Sequence, residues 1–461
     1  MAPSPPEQPI VLVSNRGPVS FERTEAGELS SKRGAGGLVS GIGPLAAEGD
    51  VTWLAAAMSD VDRDAASRGV VEAGGFRVRL LDLDAETFRL AYDVVSNEVL
   101  WFAHHGLWDL PREPVFDASW NDAWDAYRAV NDAFADAVAE VAPAGATVLV
   151  QDYHLCLVAA RLRTARPDLT CVHFHHTPFA PPVWLSALPD AAARALLEGL
   201  AAHRACGFHS QRWADDFRSS SHTLAGLQPT AFVAPLASDP ADIRAAAASP
   251  ECATALAALE ELVHDRVVIG RVDRVELSKN ILRGFQAYRE LLETQPQHRE
   301  RVVFVANAYA SRTGVPGYAA YRERVEHEVD EINERYGTDG WQPILLDVED
   351  DFPRSVALLR RADVLLVNPI RDGLNLVASE GALVNERHAA LALSPEAGAW
   401  ERFGEAALRT PPFDVTGTAA VLHQSLVMPE DERAERATRL RAIAEARTPA
   451  HWLDDQLAAA Q

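Results

Sequence analysis

The chain has 461 residues, too many for one ordinary core, and reads as two domains of roughly 200 residues each. Apolar residues make up 48% and charged residues 24%, the balance of a packed globular protein, so disorder is expected only at the ends. The 43 basic and 66 acidic residues leave a net charge of −23 with no basic block, which speaks against a nucleic-acid partner; any phosphate would have to be met locally by a few Arg or Lys side chains.

Cys156, Cys171, Cys206 and Cys252 lack CxxC spacing and lie mostly in apolar runs, so they read as free buried thiols in a reducing compartment. The Pro-rich start "MAPSPPEQP" has no apolar stretch, and no run approaches the ~18 residues needed to span a bilayer. The expectation is a cytoplasmic protein that does not engage a membrane. A homo-oligomer is compatible with the sequence.

In chain order, β-branched runs alternate with amphipathic ones. Strand candidates are "PIVLVSN", "ATVLVQD", "LTCVHFHH", "CGFHS" and "TAFVAPL", then "RVVIGRV", "RVVFVANAY", "PILLDV", "DVLLVNP" and "AALALS". Helical runs such as "LCLVAARLRTA", "ILRGFQAYRELLETQ" and "YAAYRERVEHEVDEINERYG" lie between them. The fold class is therefore α/β, with two doubly wound parallel-sheet domains of Rossmann type. "APLASDPADI" marks the hinge, giving domains at 1–236 and 237–445, with a final amphipathic helix at 446–461 that folds back on the N-terminal domain.

In such sheets ligands sit outside the carboxyl ends of strands, and polar residues collect there. "SNRGPVS" puts Arg16 in the first such turn, and "SKRGAGGLVSGIG" supplies Gly36 and Gly37, whose bare backbone can approach a phosphate. Neither GxGxxG nor GKS/GKT is present, and a glycine-rich loop is as readily a plain tight turn. Asp152, His154, His175 and His176 fall at later strand ends, suited to orienting sugar hydroxyls, although a single His there is more often a satisfied core residue. Trp120, Trp124, Tyr127, Asn131 and Phe134 share one helical face and read as core, as do Tyr92 and Trp101 on spacing alone. The acid pairs Asp60/Asp62 and Asp82/Asp84 read as surface motifs, and no HExxH is seen, so no metal is expected.

In the second half, "GRVDRVELSKN" carries Arg271 and Lys279, a cation pair suited to a diphosphate leaving group, and Arg312 follows a further strand. "NPIRDGLNLVASEGALVNE" then places Asp372 at a strand exit, a helix start near Leu376 and Val377 whose free N–H groups can receive phosphate oxygens, and Glu380 one turn in. Two carboxylates alone would also suit a glycosidase. The adjoining cations and helix N-terminus favour a nucleotide sugar.

The ordered set "SNR", "GGL", "DYHL", "HTPF", "RVD" with "SKN", "SR" after a strand, and "RDGLNLV" with Glu380 resembles the retaining GT-B glycosyltransferases that make α,α-trehalose 6-phosphate, in their actinobacterial-type branch. The resemblance spans nearly the whole chain. It implies two Rossmann-like domains facing a central cleft, the first for glucose 6-phosphate and the second for a nucleoside-diphosphate glucose. By matching position, Arg16, Tyr92, Trp101 and Arg312 would hold the acceptor phosphate and Asp152 the acceptor sugar. His176 and Asp372 would position the donor glucose. Arg271, Lys279 and the amides of Leu376 and Val377 would bind the diphosphate beside Gly36 and Gly37, and Glu380 would take the ribose. His176, Arg271, Lys279 and Asp372 form the catalytic set of a front-face transfer with retention that uses neither a cofactor nor a metal.

Ser379 and Ala237 stand where the family usually has Lys and Gly, and "EGALVNERHA" is similar to a cyclitol-coupling relative, the validoxylamine phosphate synthase. The leading expectation is trehalose-6-phosphate synthase, with GDP-glucose favoured over UDP-glucose. The alternatives are cyclitol-phosphate coupling and a non-catalytic subunit that senses nucleotide sugars.

Overall fold

A computed structural model describes residues 9–24, 27–33, 51–311 and 315–461. The chain divides into two compact units, Met1–Leu236 together with Pro449–Gln461, and Ala237–Thr448. Among the described residues, no helix is long and apolar enough to cross a membrane.

The first unit contains β1 (Ile10–Val13), β2 (Val19–Arg23), β3 (Leu29–Arg33), β4 (Val51–Ala56), β5 (Val70–Ala73), β6 (Phe76–Leu81), β7 (Thr147–Gln151), β8 (Thr170–His175), β9 (Ala205–Phe208) and β10 (Ala231–Val233). Eight of them form one sheet in the order β10-β9-β8-β7-β1-β4-β6-β5, while β2 and β3 pair separately. All neighbours in the large sheet are parallel except β5 against β6. Helices on both faces explain why a strand such as β1 is apolar at every position: all four of its residues are buried. The order turns between β1 and β7, which makes their carboxyl ends the switch-point crevice.

The second unit contains β11 (Val267–Val275), β12 (Val302–Ala310), β13 (Ile344–Asp347), β14 (Val364–Val367), β15 (Ala390–Leu393) and β16 (Leu408–Arg409), in the order β13-β12-β11-β14-β15-β16. Every pairing is parallel, and the switch point lies between β11 and β14.

Local chemistry sets the helix starts. Ser210, Asp239 and Ser249 each occupy an N-cap and accept from backbone N–H groups of the first turn, with Pro240 and Pro250 following the latter two. The helix Ala118–Val141 buries Trp120, Tyr127, Asn131 and Phe134, as a core stripe should. One surface expectation is corrected: Asp62 is 4% exposed, because its carboxylate closes a capping box with Ser59 and accepts from the backbone N–H of Phe21 and of Met58. All four cysteines are free and buried.

Candidate active site

At the end of β1 the chain turns sharply. Ser14 Oγ donates to the Arg16 carbonyl at 2.6 Å and accepts from Trp53 Nε1 at 2.7 Å, which pins the turn and leaves the Arg16 side chain exposed. Arg16 Nη2 donates to Tyr92 Oη at 3.1 Å, with the guanidinium 6.0 Å from the ring centroid. Tyr92 lies in the segment Leu90–Leu100, wound in wide π-type turns of the kind that recur at functional sites. Its ring stacks on Phe88 and on His154, both at 5.5 Å. Trp101 is 6% exposed and stacks on His105 at 3.9 Å, which is the core placement its spacing predicts.

β7 ends at Gln151, and Asp152 follows with φ 71°, a left-handed conformation that costs a non-glycine residue of order 1 kcal/mol or more. Asp152 Oδ1 accepts from the His176 backbone N–H at 3.2 Å, which joins the loops after β7 and β8. The His176 ring is partly buried, and its Nε2 lies 3.0 Å from Gln151 Oε1. Burial lowers its pKa to about 4, so at neutral pH the ring offers hydrogen bonds and carries no charge. His175 is fully buried among the rings of His104, Phe179 and Phe208, with Nδ1 3.4 Å from His173 Nε2 and with Nε2 lacking a hydrogen-bond partner among the described residues, so the expected satisfied core histidine is core but only half satisfied. This switch point thus brings Arg16, Asp152 and His176 to strand ends, with Tyr92 meeting Arg16 from the Leu90–Leu100 segment and Trp101 buried just beyond it.

At the second switch point Arg271 sits deeper than its place in the sequence suggests. β11 extends to Val275, beyond the strand candidate that ended at Val272, so Arg271 lies in its interior. The Arg271 side chain is fully buried; Nη1 donates to Asn368 Oδ1 at 2.7 Å, and Nη2 meets Asp273 at 2.9 Å and the Lys279 carbonyl. Arg271 therefore clamps β11 to the exit of β14. Arg274, nearer the strand end, keeps 43% of its side chain exposed, with Nε 3.3 Å from Glu276, and lies close enough for its charge to depress the Lys279 pKa. Sequence reasoning did not single out Arg274; the longer strand makes it, and not Arg271, the basic residue nearest the strand end.

Lys279 Nζ donates to Asp372 Oδ2 at 2.6 Å and lies 3.8 Å from Asp273. Burial works against its charged form, but the Asp372 and Asp273 carboxylates outweigh that and raise its pKa, so it stays a cation. Desolvation raises the pKa of Asp273 despite Arg271 and Lys279 beside it. Asn375, with φ 81°, braces Asp372 Oδ2 through Nδ2 at 3.2 Å. The helix Val377–Val384 begins without a side-chain cap, and the amides of Leu376 and Val377 have no acceptor among the described residues. That helix start can receive an anion. Glu380 is half-buried in its first turn, and desolvation lifts its pKa to about 7. Gly36, Gly37 and Arg312 lie outside the described residues. No group of three or more His, Cys, Asp or Glu able to hold a metal ion occurs among the described residues.

The family model of glycosyltransferase family 20 matches residues 8–461. A trehalose-6-phosphate synthase from Mycobacterium sp. (strain JLS) is 33% identical over 94% of this chain and 92% of its own length. A bifunctional trehalose-6-phosphate synthase/phosphatase from Thermoproteus tenax is 32% identical, covering 97% of this chain and 62% of its own. Among solved structures, the E. coli protein bound with UDP-2-fluoro glucose superposes with a TM-score of 0.86 at 28% identity, over 98% of this chain and 99% of its own. A Burkholderia xenovorans α,α-trehalose-phosphate synthase (UDP-forming) in complex with glucose-6-phosphate gives a TM-score of 0.83 at 26% identity, over 98% of this chain and all of its own. The chain is a GT-B glycosyltransferase that belongs to glycosyltransferase family 20, the trehalose-6-phosphate synthase family.

Proposed function

We propose that this protein is a trehalose-6-phosphate synthase that moves glucose, with retention, from a nucleoside-diphosphate glucose to glucose 6-phosphate. The observation that carries this reading is the second switch point, where Lys279, Asp372, the open amides of Leu376 and Val377, and Glu380 converge at one helix start. A nucleotide sugar offers each of them a matching group.

In this reading Lys279 and Arg274, with the two amides, neutralise the charge that develops on the departing diphosphate, which is the dominant contribution when no protein nucleophile is used. Arg271 acts behind them by holding Asn368 and the Lys279 backbone. Asp372 accepts from donor-sugar hydroxyls and fixes Lys279. Neutral His176 meets the same sugar, and Glu380 accepts from the ribose diol. Arg16 and Tyr92, with Trp101 and Arg312, hold the acceptor phosphate, while Asp152 orients the acceptor sugar. The glycosidic C–O bond to diphosphate breaks as the acceptor oxygen bonds to the same face, and the acceptor proton passes to the leaving diphosphate.

We place GDP-glucose ahead of UDP-glucose on the likeness of the motifs to the actinobacterial-type branch. Nucleotide release from GDP-, UDP- and ADP-glucose with glucose 6-phosphate, in chelator, tests this directly. Faster turnover of GDP-glucose is expected; a preference for UDP-glucose overturns the donor assignment, and silence with all three overturns the transfer.

A further inference from the structure

The last helix, Pro449–Ala460, carries Trp452 and Gln456 four residues apart on one face, and that face packs against β8. Trp452 is fully buried, its ring 5.1 Å from Phe174 and 5.7 Å from the His176 ring. Gln456 is fully buried as well, and its Oε1 accepts from Gln151 Nε2 at 3.1 Å, while Gln151 Oε1 faces His176 Nε2 at 3.0 Å. Two buried amides therefore stand in line behind the ring.

An amide oxygen only accepts, so His176 must carry its proton on Nε2 to bond Gln151. That leaves Nδ1, outside the Gln151 hydrogen bond, as a lone pair for a sugar hydroxyl. A glutamine amide has nearly the same shape when turned over, and turned over it would present N–H to the ring and force the opposite tautomer. The oxygen of Gln456 holds Gln151 in this orientation, and because Gln456 Nε2 has no partner among the described residues the two amides can turn over only as a coupled pair.

We propose that Gln456 is a positioning residue which, through Gln151, sets the tautomer and orientation of His176 for the donor sugar. This deepens the reading of His176 given above and rests on it. Residues near the carboxyl end of the chain thereby control a hydrogen-bond acceptor at the end of β8, more than 270 positions earlier in sequence.

The test is made on the full chain with ¹⁵N-labelled histidine, with the His176 ring signals assigned by their loss in His176→Gln. In the native protein at pH 7.5 the expected state is Nε2–H. Gln456→Met should turn the ring towards Nδ1–H and lower kcat/KM for the donor ~10-fold, as loss of a group that orients a ligand-contacting histidine typically does, while leaving KM for glucose 6-phosphate in place. Gln456→Glu, read at a pH where its carboxylate is ionised and therefore only accepts, should keep the native tautomer. Leu453→Val, a packing change on the same helix, should lower Tm and leave ring signals and donor kinetics alone. Unchanged signals or unchanged donor kinetics in Gln456→Met overturn the proposal, as does Nδ1–H in the native protein. If no donor is turned over at all, the transferase reading falls while the ring signals still decide the relay.

Discussion

Arg271 and Arg274 sit three residues apart on one strand, and their surroundings give them different consequences on mutation. Arg271→Ala would take the nearer cation from the buried Asp273 carboxylate, leaving Lys279 at 3.8 Å, and would also free Asn368; breaking a buried pair is typically worth about 3–5 kcal/mol, so the expected result is a large drop in Tm. Arg274→Ala removes a half-exposed cation that also faces the buried Glu276 carboxylate, so Tm should fall less than in Arg271→Ala while kcat falls ~100-fold, the usual scale for one donor to a developing anion. Thermal melts and initial rates on the two variants separate them; equal stability in both would contradict the clamp. Glu380 supplies a second prediction. With its pKa at about 7, it loses the charge that accepts from a ribose diol as pH falls below that value, so donor KM should rise from pH 8 to pH 6. Glu380→Gln should flatten that profile, and an unaltered slope would remove Glu380 from the ribose. Asp372, Lys279 and Glu380 were legible in sequence because their spacing spans a strand exit and a helix start. The place of Arg274 was not: apolar alternation gives no sign that a nine-residue strand continues through "DRV", and spacing cannot show that the Arg271 side chain is buried.

The helix Ile281–Thr294 shows how an element protects a site residue. A Cβ on Gly284 would stand 2.8 Å from Arg271 Nη1, which is already held by Asn368. In an exposed helix, Gly→Ala would stabilise by roughly 1 kcal/mol; here the clash with a pinned guanidinium should reverse the sign, and Gly284→Ala should melt lower than the native chain. A higher Tm would mean the Arg271 side chain gives way freely. Ten strand candidates all appear as strands because each is a fully or nearly fully apolar run between turn residues. β4 to β6 and the β2–β3 hairpin escaped the sequence reading. In β6 the run "FRVRLL" interleaves arginines with buried residues, and the hairpin alternates exposed charge with Val19 and Phe21, so their apolar content alone is unremarkable. The π-type winding of Leu90–Leu100 was equally hidden, which is why spacing alone read Tyr92 as core and only the family resemblance put it beside Arg16.

Across the molecule, buried neutral histidines set the acid limit. His176 and His203 have pKa values lowered to about 4, mainly by burial, and the same cause lowers those of His173 and His175. Once unfolded, each takes up a proton near pH 6.5, so below that pH the unfolded state binds more protons and stability falls until the folded values are reached near pH 4. Glu380 acts oppositely, since between 4.5 and about 7 the folded chain holds a proton that the unfolded chain does not, and burial raises the carboxyls of Asp273, Asp93 and Glu98 in the same sense; the buried histidines govern the window just below pH 6.5, where each unfolded imidazole takes up its proton. His203→Gln, placed away from the ligand-facing residues, should flatten the decline of Tm between pH 6.5 and 5, and an unchanged decline would show that burial of His203 is not what limits it. The net charge of −23 makes local cation placement the more decisive for a phosphate-rich donor.

The measurement that tests the account most directly is the product itself. Purified protein, a nucleoside-diphosphate glucose and glucose 6-phosphate are incubated in chelator and the anomeric centres of the product are read by NMR. The account predicts a non-reducing disaccharide phosphate with both anomeric carbons in the α configuration, formed in step with released nucleoside diphosphate. A β linkage, a reducing product, or nucleotide release accompanied only by free glucose would contradict it.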